Sequence, residues 1–192
     1  MEPKIMMKLV VGTEAIFFLS LMMGFVYFAY YPGFRPQSVE QLELPATAAF
    51  TALLLLSSFT FWRAEVNFKQ GRPNGLKGWL LATLVLGTVF LVGQIREYSH
   101  LLSSQLTISK GTFATGFFTL TGFHGLHVLV GLIILSVVLY LAWLGDFDKP
   151  QSSVISTVGI YWHFVDVVWV VVFTLVYVLP TLINIAGHES TP

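Results

Sequence analysis

The sequence predicts an all-α integral membrane protein, a bundle of five transmembrane helices. Three observations predict it. Hydrophobic residues make up 55% of the chain and charged residues only 10%, against roughly 25% charged in an ordinary soluble domain. The mean hydropathy is +0.77. Five apolar stretches are each long enough to cross a bilayer core, which takes about 20 mainly apolar residues. Backbone at membrane depth has to satisfy its own polar groups, so these stretches read as helices. The alternating pattern of a transmembrane barrel does not appear in the sequence.

The stretches follow one another closely. The first covers about residues 6–31 and ends in the turn Tyr31-Pro32-Gly33. The second covers about 44–62. The third covers about 78–98; its apolar part, Trp79 to Gln94, is the shortest, and it spans only by including Arg96, Glu97 and Tyr98. The fourth covers about 113–143 and the fifth about 154–185, with Pro180 well inside it. Short connections predict antiparallel consecutive helices, and residues 1–192 read as a single membrane domain. The start of the chain does not read as a secretory signal. Its apolar run is too long, contains Glu14 and lacks a small-residue cleavage site.

Charge sets the expected orientation. Lys4, Lys8, Arg63, Lys69, Arg72, Lys77 and Lys149 fall on one side, and Arg35, Arg96 and Lys110 on the other. Positive residues gather in the cytoplasm, which predicts a cytoplasmic N-terminus and a C-terminus outside, in the periplasm. Ten acidic and ten basic residues cancel, which argues against a nucleic-acid partner, since that needs a basic surface. Cysteine is absent, so there is no disulfide framework and no thiolate metal site. Gly71-Arg72-Pro73-Asn74-Gly75 shares only glycines with a phosphate loop and reads as a turn.

Ionisable groups at membrane depth are costly and therefore functional candidates. They are Glu14, His124, His127, His163 and Asp166. At 1.5 Å per residue Glu14 lies ~9 Å from the cytoplasmic end of its helix, counted from Lys8. His127 lies ~21 Å from the outer end of the fourth helix, which in a ~30 Å core is again ~9 Å from the cytoplasmic face. The two can meet if their helices are neighbours, with His124 close by. His163 lies ~14 Å into the fifth helix, with Asp166 one turn further on the same face.

Each candidate has a plain reading beside the sharper one. Glu14 is either a neutral carboxyl packed among apolar neighbours or a group exchanging protons with the cytoplasmic side. His124 and His127 are either haem or metal ligands or hydrogen-bonded structural histidines. They share one helix with no carboxylate completing a cluster, which favours the structural reading. His163 and Asp166 read as a local hydrogen-bonded pair, and Glu97 as an ion pair with Arg96. Gly122, Gly125 and Gly131, with Thr119 and Thr121, offer surfaces for close helix contact. Trp143, Trp162, Trp169, Tyr30 and Tyr31 read as interface anchors or as packing against partner subunits and lipids.

Helices four and five carry a resemblance. Thr121-Gly122-Phe123-His124-Gly125-Leu126-His127-Val128, followed by Gly131, resembles a signature of subunit III of haem-copper oxidases. Tyr161-Trp162-His163-Phe164-Val165-Asp166-Val167-Val168-Trp169 resembles that family's final-helix signature. Weaker matches are Thr13-Glu14-Ala15-Ile16-Phe17-Phe18, Leu53 to Ser58 with Pro45 and Thr47, and Gln94 to Tyr98 with Thr107 to Ser109. Thr13 stands where the family usually has Ser, and Ala46 where it has Asn.

The resemblance implies a noncatalytic subunit of a respiratory terminal oxidase, of the short five-helix form found in the bacterial inner membrane. It implies direct contact with subunit I, and with subunit II and other respiratory-complex subunits beyond it. Haem and copper would lie in those partners and none in this chain; bound phospholipid from the membrane is expected. Glu14 matches the family's intramembrane glutamate, whose role is to support proton uptake into subunit I. A glutamate there leans toward the cytochrome c branch, with an aa3-type cytochrome c oxidase as the expected complex. Alternatives are an accessory protein of nitric oxide reduction and a membrane cytochrome b holding haem between His127 and His163.

Overall fold

The computed structural model describes residues 3–29, 44–103, 112–147 and 152–180. Within them the chain forms five long helices and no strand. They are α1 (Pro3–Ala29), α2 (Leu44–Lys69), α3 (Pro73–Ser103), α4 (Thr112–Leu144) and α5 (Val154–Phe173), the last continuing into a π-helical turn at Thr174–Val178. All five are long and apolar enough to cross a membrane. Tyr30, Tyr31-Pro32-Gly33, Arg35, Thr107 to Ser109, Lys110, Lys149 and the fifth stretch beyond Pro180 lie outside the described residues.

α2 and α3 end later than their apolar stretches do. α2 runs past Trp62 to Lys69 because its last turns carry their own polar support. Lys69 Nζ pairs with Glu65 one turn back at 2.9 Å. Asn67 Nδ2 donates to the Arg63 carbonyl at 2.8 Å. The Arg63 guanidinium lies 6.0 Å from the Trp62 ring and 5.6 Å from the Trp79 ring of α3. Gly71 then closes the helix with φ 65. Its N–H donates to the Phe68 carbonyl and that of Arg72 to the Asn67 carbonyl, each at 3.0 Å. This pattern needs a left-handed residue at Gly71, where glycine has no steric penalty. Pro73 opens α3, a position where a missing N–H costs nothing.

α5 is the hub of the bundle, packing on α1, α2 and α4. α2 and α3 form the closest pair, α3 also packs on α4, and α1 leans on α4 and α5 rather than on α2. The two indoles of α5 are core residues: Trp162 and Trp169 are each 1% exposed. This corrects their reading as interface anchors; Trp143, at 60% exposed, fits that reading. Small residues make room for the aromatic core. A Cβ at Gly87 would stand 2.9 Å from Trp162, and one at Gly131 would stand 2.8 Å from it. Gly159 gives the same room to Phe61 and Gly125 to Gln94. Without a hydrophobic force between helices in lipid, such close packing is what holds them together.

Side-chain hydrogen bonds then fix the register of antiparallel α2 and α5. Ser156 Oγ donates to Glu65 Oε1 at 2.8 Å. Ser58 Oγ meets His163 Nδ1 at 2.6 Å. Trp162 Nε1 donates to Ser57 Oγ at 3.1 Å and Trp169 Nε1 to Thr51 Oγ1 at 2.9 Å. Thr51, Ser58 and Glu65 recur every seven residues, which keeps them on one side of α2.

Candidate functional site

Glu14 and His127 meet between α1 and α4. Glu14 Oε2 lies 3.0 Å from His127 Nε2. The other ring nitrogen, Nδ1, lies 2.7 Å from the Phe123 carbonyl one turn back on α4. A carbonyl only accepts, so Nδ1 carries a proton and the ring turns Nε2 to Glu14. The pair therefore holds one movable proton. It sits either on the carboxyl, donated to a neutral imidazole, or on Nε2, donated to a carboxylate. Their side chains keep 33% and 15% exposure, so the pair is reachable from the bundle surface.

The surroundings hold this geometry. Phe17 and Phe18 flank His127, the Phe18 ring edge-on at 4.9 Å. Tyr161 Oη donates to the His127 carbonyl at 3.0 Å, tying α5 to the same turn of α4. Glu14, Phe17 and Phe18 share a face because residues three and four apart on a helix are neighbours.

His124 lies behind the pair, fully buried. Neither of its ring nitrogens has a hydrogen-bond partner among the described residues. It is held by stacking: the Trp169 ring lies 4.7 Å away at 28°, with Phe90 and Phe18 edge-on. The expected hydrogen-bonded histidine is therefore a stacked one, and Phe18 bridges it to His127.

His163 and Asp166 share a face but do not bond to each other. His163 Nδ1 is taken by Ser58 of α2. Both Asp166 carboxyl oxygens lack a partner among the described residues, although the residue is only 3% exposed. A buried polar group left unpaired costs about 1–3 kcal/mol, so Asp166 is under strong pressure to find one. Same-face spacing was a correct reading of the helix; it said nothing of a stronger partner on α2.

Glu97 likewise departs from expectation. Arg96 is its neighbour in sequence but points about 100° away around the helix. The carboxyl instead accepts Tyr177 Oη at 2.8 Å and Thr47 Oγ1 at 3.1 Å, joining α2, α3 and α5. Tyr177 reaches it through the π-helical turn. Pro180 has no N–H for the Val176 carbonyl and its ring crowds that carbonyl. The wider turn upstream relieves this, with the Leu179 N–H bonding back to Thr174. Beside it, Tyr98 Oη meets Thr121 Oγ1 at 2.7 Å and Gln94 Nε2 donates to the Thr121 carbonyl at 2.7 Å.

Glu65 and Ser58 were not singled out by the sequence as site residues. Their seven-residue spacing on α2, matched by Ser156 and His163 on α5, was the signal. The geometry also bears on haem ligation: His127 Nε2 is engaged by Glu14 and His163 Nδ1 by Ser58, so the two histidines face different helices. Among the described residues no three His, Cys, Asp or Glu side chains gather as a metal site.

Comparison with known proteins gives the family. Residues 3–180 match the family described as cytochrome c oxidase subunit III. A cytochrome c oxidase subunit 3 of Synechocystis is 36% identical over 169 residues, covering 87% of this chain and 71% of that protein. A probable cytochrome c oxidase subunit 3 of Mycobacterium leprae is 37% identical over 167 residues, 86% and 82% of the two chains. A cytochrome bo(3) ubiquinol oxidase subunit 3 of Pseudomonas aeruginosa is 32% identical over 170 residues, 88% and 81%. The chain belongs to the cytochrome c oxidase subunit III family and is a multi-pass inner-membrane, non-catalytic subunit of a haem-copper oxidase complex.

Proposed function

We propose that this subunit stabilises the oxygen-reducing subunit I and supports its proton uptake, in an aa3-type cytochrome c oxidase. The observation that carries the reading is the Glu14–His127 pair. An ionisable pair is costly at membrane depth, which makes it a functional candidate, and this one can pass a proton without any change of partner. Its partial exposure leaves a route to a neighbouring subunit. The charge asymmetry of the chain puts the pair nearer the cytoplasmic face, from which protons are drawn. Subunit I is the direct partner in this reading, with subunit II and other respiratory-complex subunits beyond it and phospholipid around the apolar faces. His124, His163 and Asp166 stand as supporting or proton-exchanging groups.

Relatives named as ubiquinol oxidase subunits favour a second reading, in which the donor is a quinol. One purification separates the two. The chain is recovered from native membranes in mild detergent, and the complex is assayed with reduced cytochrome c and with a quinol. Recovery with a haem-copper subunit I in equal amount, and activity with cytochrome c, is expected. A chain recovered alone removes the reading; activity with quinol alone moves it to the second. A complex carrying His127→Gln should assemble but lose oxygen consumption at a lower pH than the native complex as pH rises. A native pH profile would leave the pair without a role in proton uptake.

A further inference from the structure

We propose that Asp166, Ser58 and His163 form a second, hydrated protonatable site in the α2–α5 seam, independent of the Glu14–His127 pair and fed through Glu65. Asp166 is 3% exposed and both its carboxyl oxygens are unpartnered among the described residues. Ser58 is close enough to bear on it, yet that hydroxyl lies 2.6 Å from His163 Nδ1. Whichever form the carboxyl takes, it needs a partner: an acceptor for its O–H, or donors for its two oxygens. Water supplies both, and buried water is held where several polar groups converge. Ser58, His163 and Asp166 converge in this way, whereas His124, also unpartnered, faces only rings.

The same seam leads outward. Glu65 lies seven residues from Ser58 on α2, and Ser156 seven from His163 on α5, so the two polar rungs are ~10 Å apart. Glu65 is held by Ser156 at 2.8 Å and by Lys69 at 2.9 Å, and Lys69 is 64% exposed. Other ionisable groups on the helices packed against α5 are Lys4, Lys8, Glu14 and Tyr27 on α1, Arg63 on α2, and His124, His127 and Tyr140 on α4. Glu65 combines contact with α5 and an exposed partner. In uptake, a proton on the Glu65 carboxyl passes through water to the Asp166 carboxylate. Glu65 returns to its ionised form beside Lys69, and one O–H bond breaks as one forms.

Infrared spectra of the intact oxidase complex, titrated in H2O and in D2O, test this. The difference between native complex and Asp166→Asn is expected to contain one carboxylic acid C=O band. That band should vanish as pH rises and shift down in D2O. Glu65→Gln should keep the band but slow its deuterium exchange about tenfold or more, as loss of a relay group does. Glu14→Gln should leave both unchanged, so this site and the first stand or fall separately. Absence of the band at every pH, a band unmoved by D2O, or native exchange in Glu65→Gln would each overturn the proposal. If Asp166→Asn does not assemble, Ser58→Ala takes its place: the band should move in frequency, and an unmoved band overturns the site.

Discussion

At the residue scale, one hydrogen bond decides what a titratable group can do. The Phe123 carbonyl holds Nδ1 of His127 and so aims Nε2 at Glu14. The matched depth of the two was legible in the sequence from helix rise; that α1 and α4 are neighbours was not. The partner of His163 was not legible. Spacing of three identifies a shared face, but the choice between Asp166 and Ser58 rests on the approach of another helix. The same holds for Glu97, which takes hydroxyls from α2 and α5 rather than its neighbour Arg96. Buried polar contacts of this kind carry register. Thr51→Val strips the Trp169 indole of its acceptor while keeping shape. Such bonds average about 0.6 kcal/mol in membrane bundles, so a drop of a few degrees in the thermal midpoint of the detergent-solubilised complex is expected. An unchanged midpoint would mean that the indole finds another acceptor.

At the element scale, the apolar stretches gave the number of helices and their order, but not their ends. Arg63, Glu65 and Lys69 looked like a loop to a hydropathy reading. They are helical because an ion pair one turn apart and a guanidinium over two indoles support them. Pro180 was visible as an oddity, while its consequence lay two to six residues upstream. The π-helical turn it imposes carries Tyr177 to Glu97. Pro180→Ala restores the missing N–H and should let the turn relax to α-helix, withdrawing the hydroxyl. Tyr177→Phe should then lower the thermal midpoint in the native background and have little further effect alongside Pro180→Ala. Equal effects in both backgrounds would show that the turn does not depend on the proline.

At the scale of the whole molecule, the bundle places two polar sites on different seams of the hub helix. One lies between α1 and α4, anchored to α5 through Tyr161; the other lies between α2 and α5. Neighbour relations of this kind need three-dimensional contact and were beyond the sequence. α1 packs on α4 and α5 instead of α2. The charges predict a cytoplasmic N-terminus, and the cysteine-free chain makes that easy to test. In intact cells stripped of their wall, an impermeant maleimide should label Ser103→Cys and not Arg72→Cys; the reverse pattern would invert the bundle. The proton proposed to be shared and passed by Glu14 is read most directly during turnover. The measurement is oxygen consumption by purified native and Glu14→Gln complexes from acid to alkaline pH. Protons are scarcest at alkaline pH, so equal assembly, similar rates in acid, and an activity that fails at lower pH in the variant as pH rises are expected. Superimposable profiles across the whole range would contradict the proposed role.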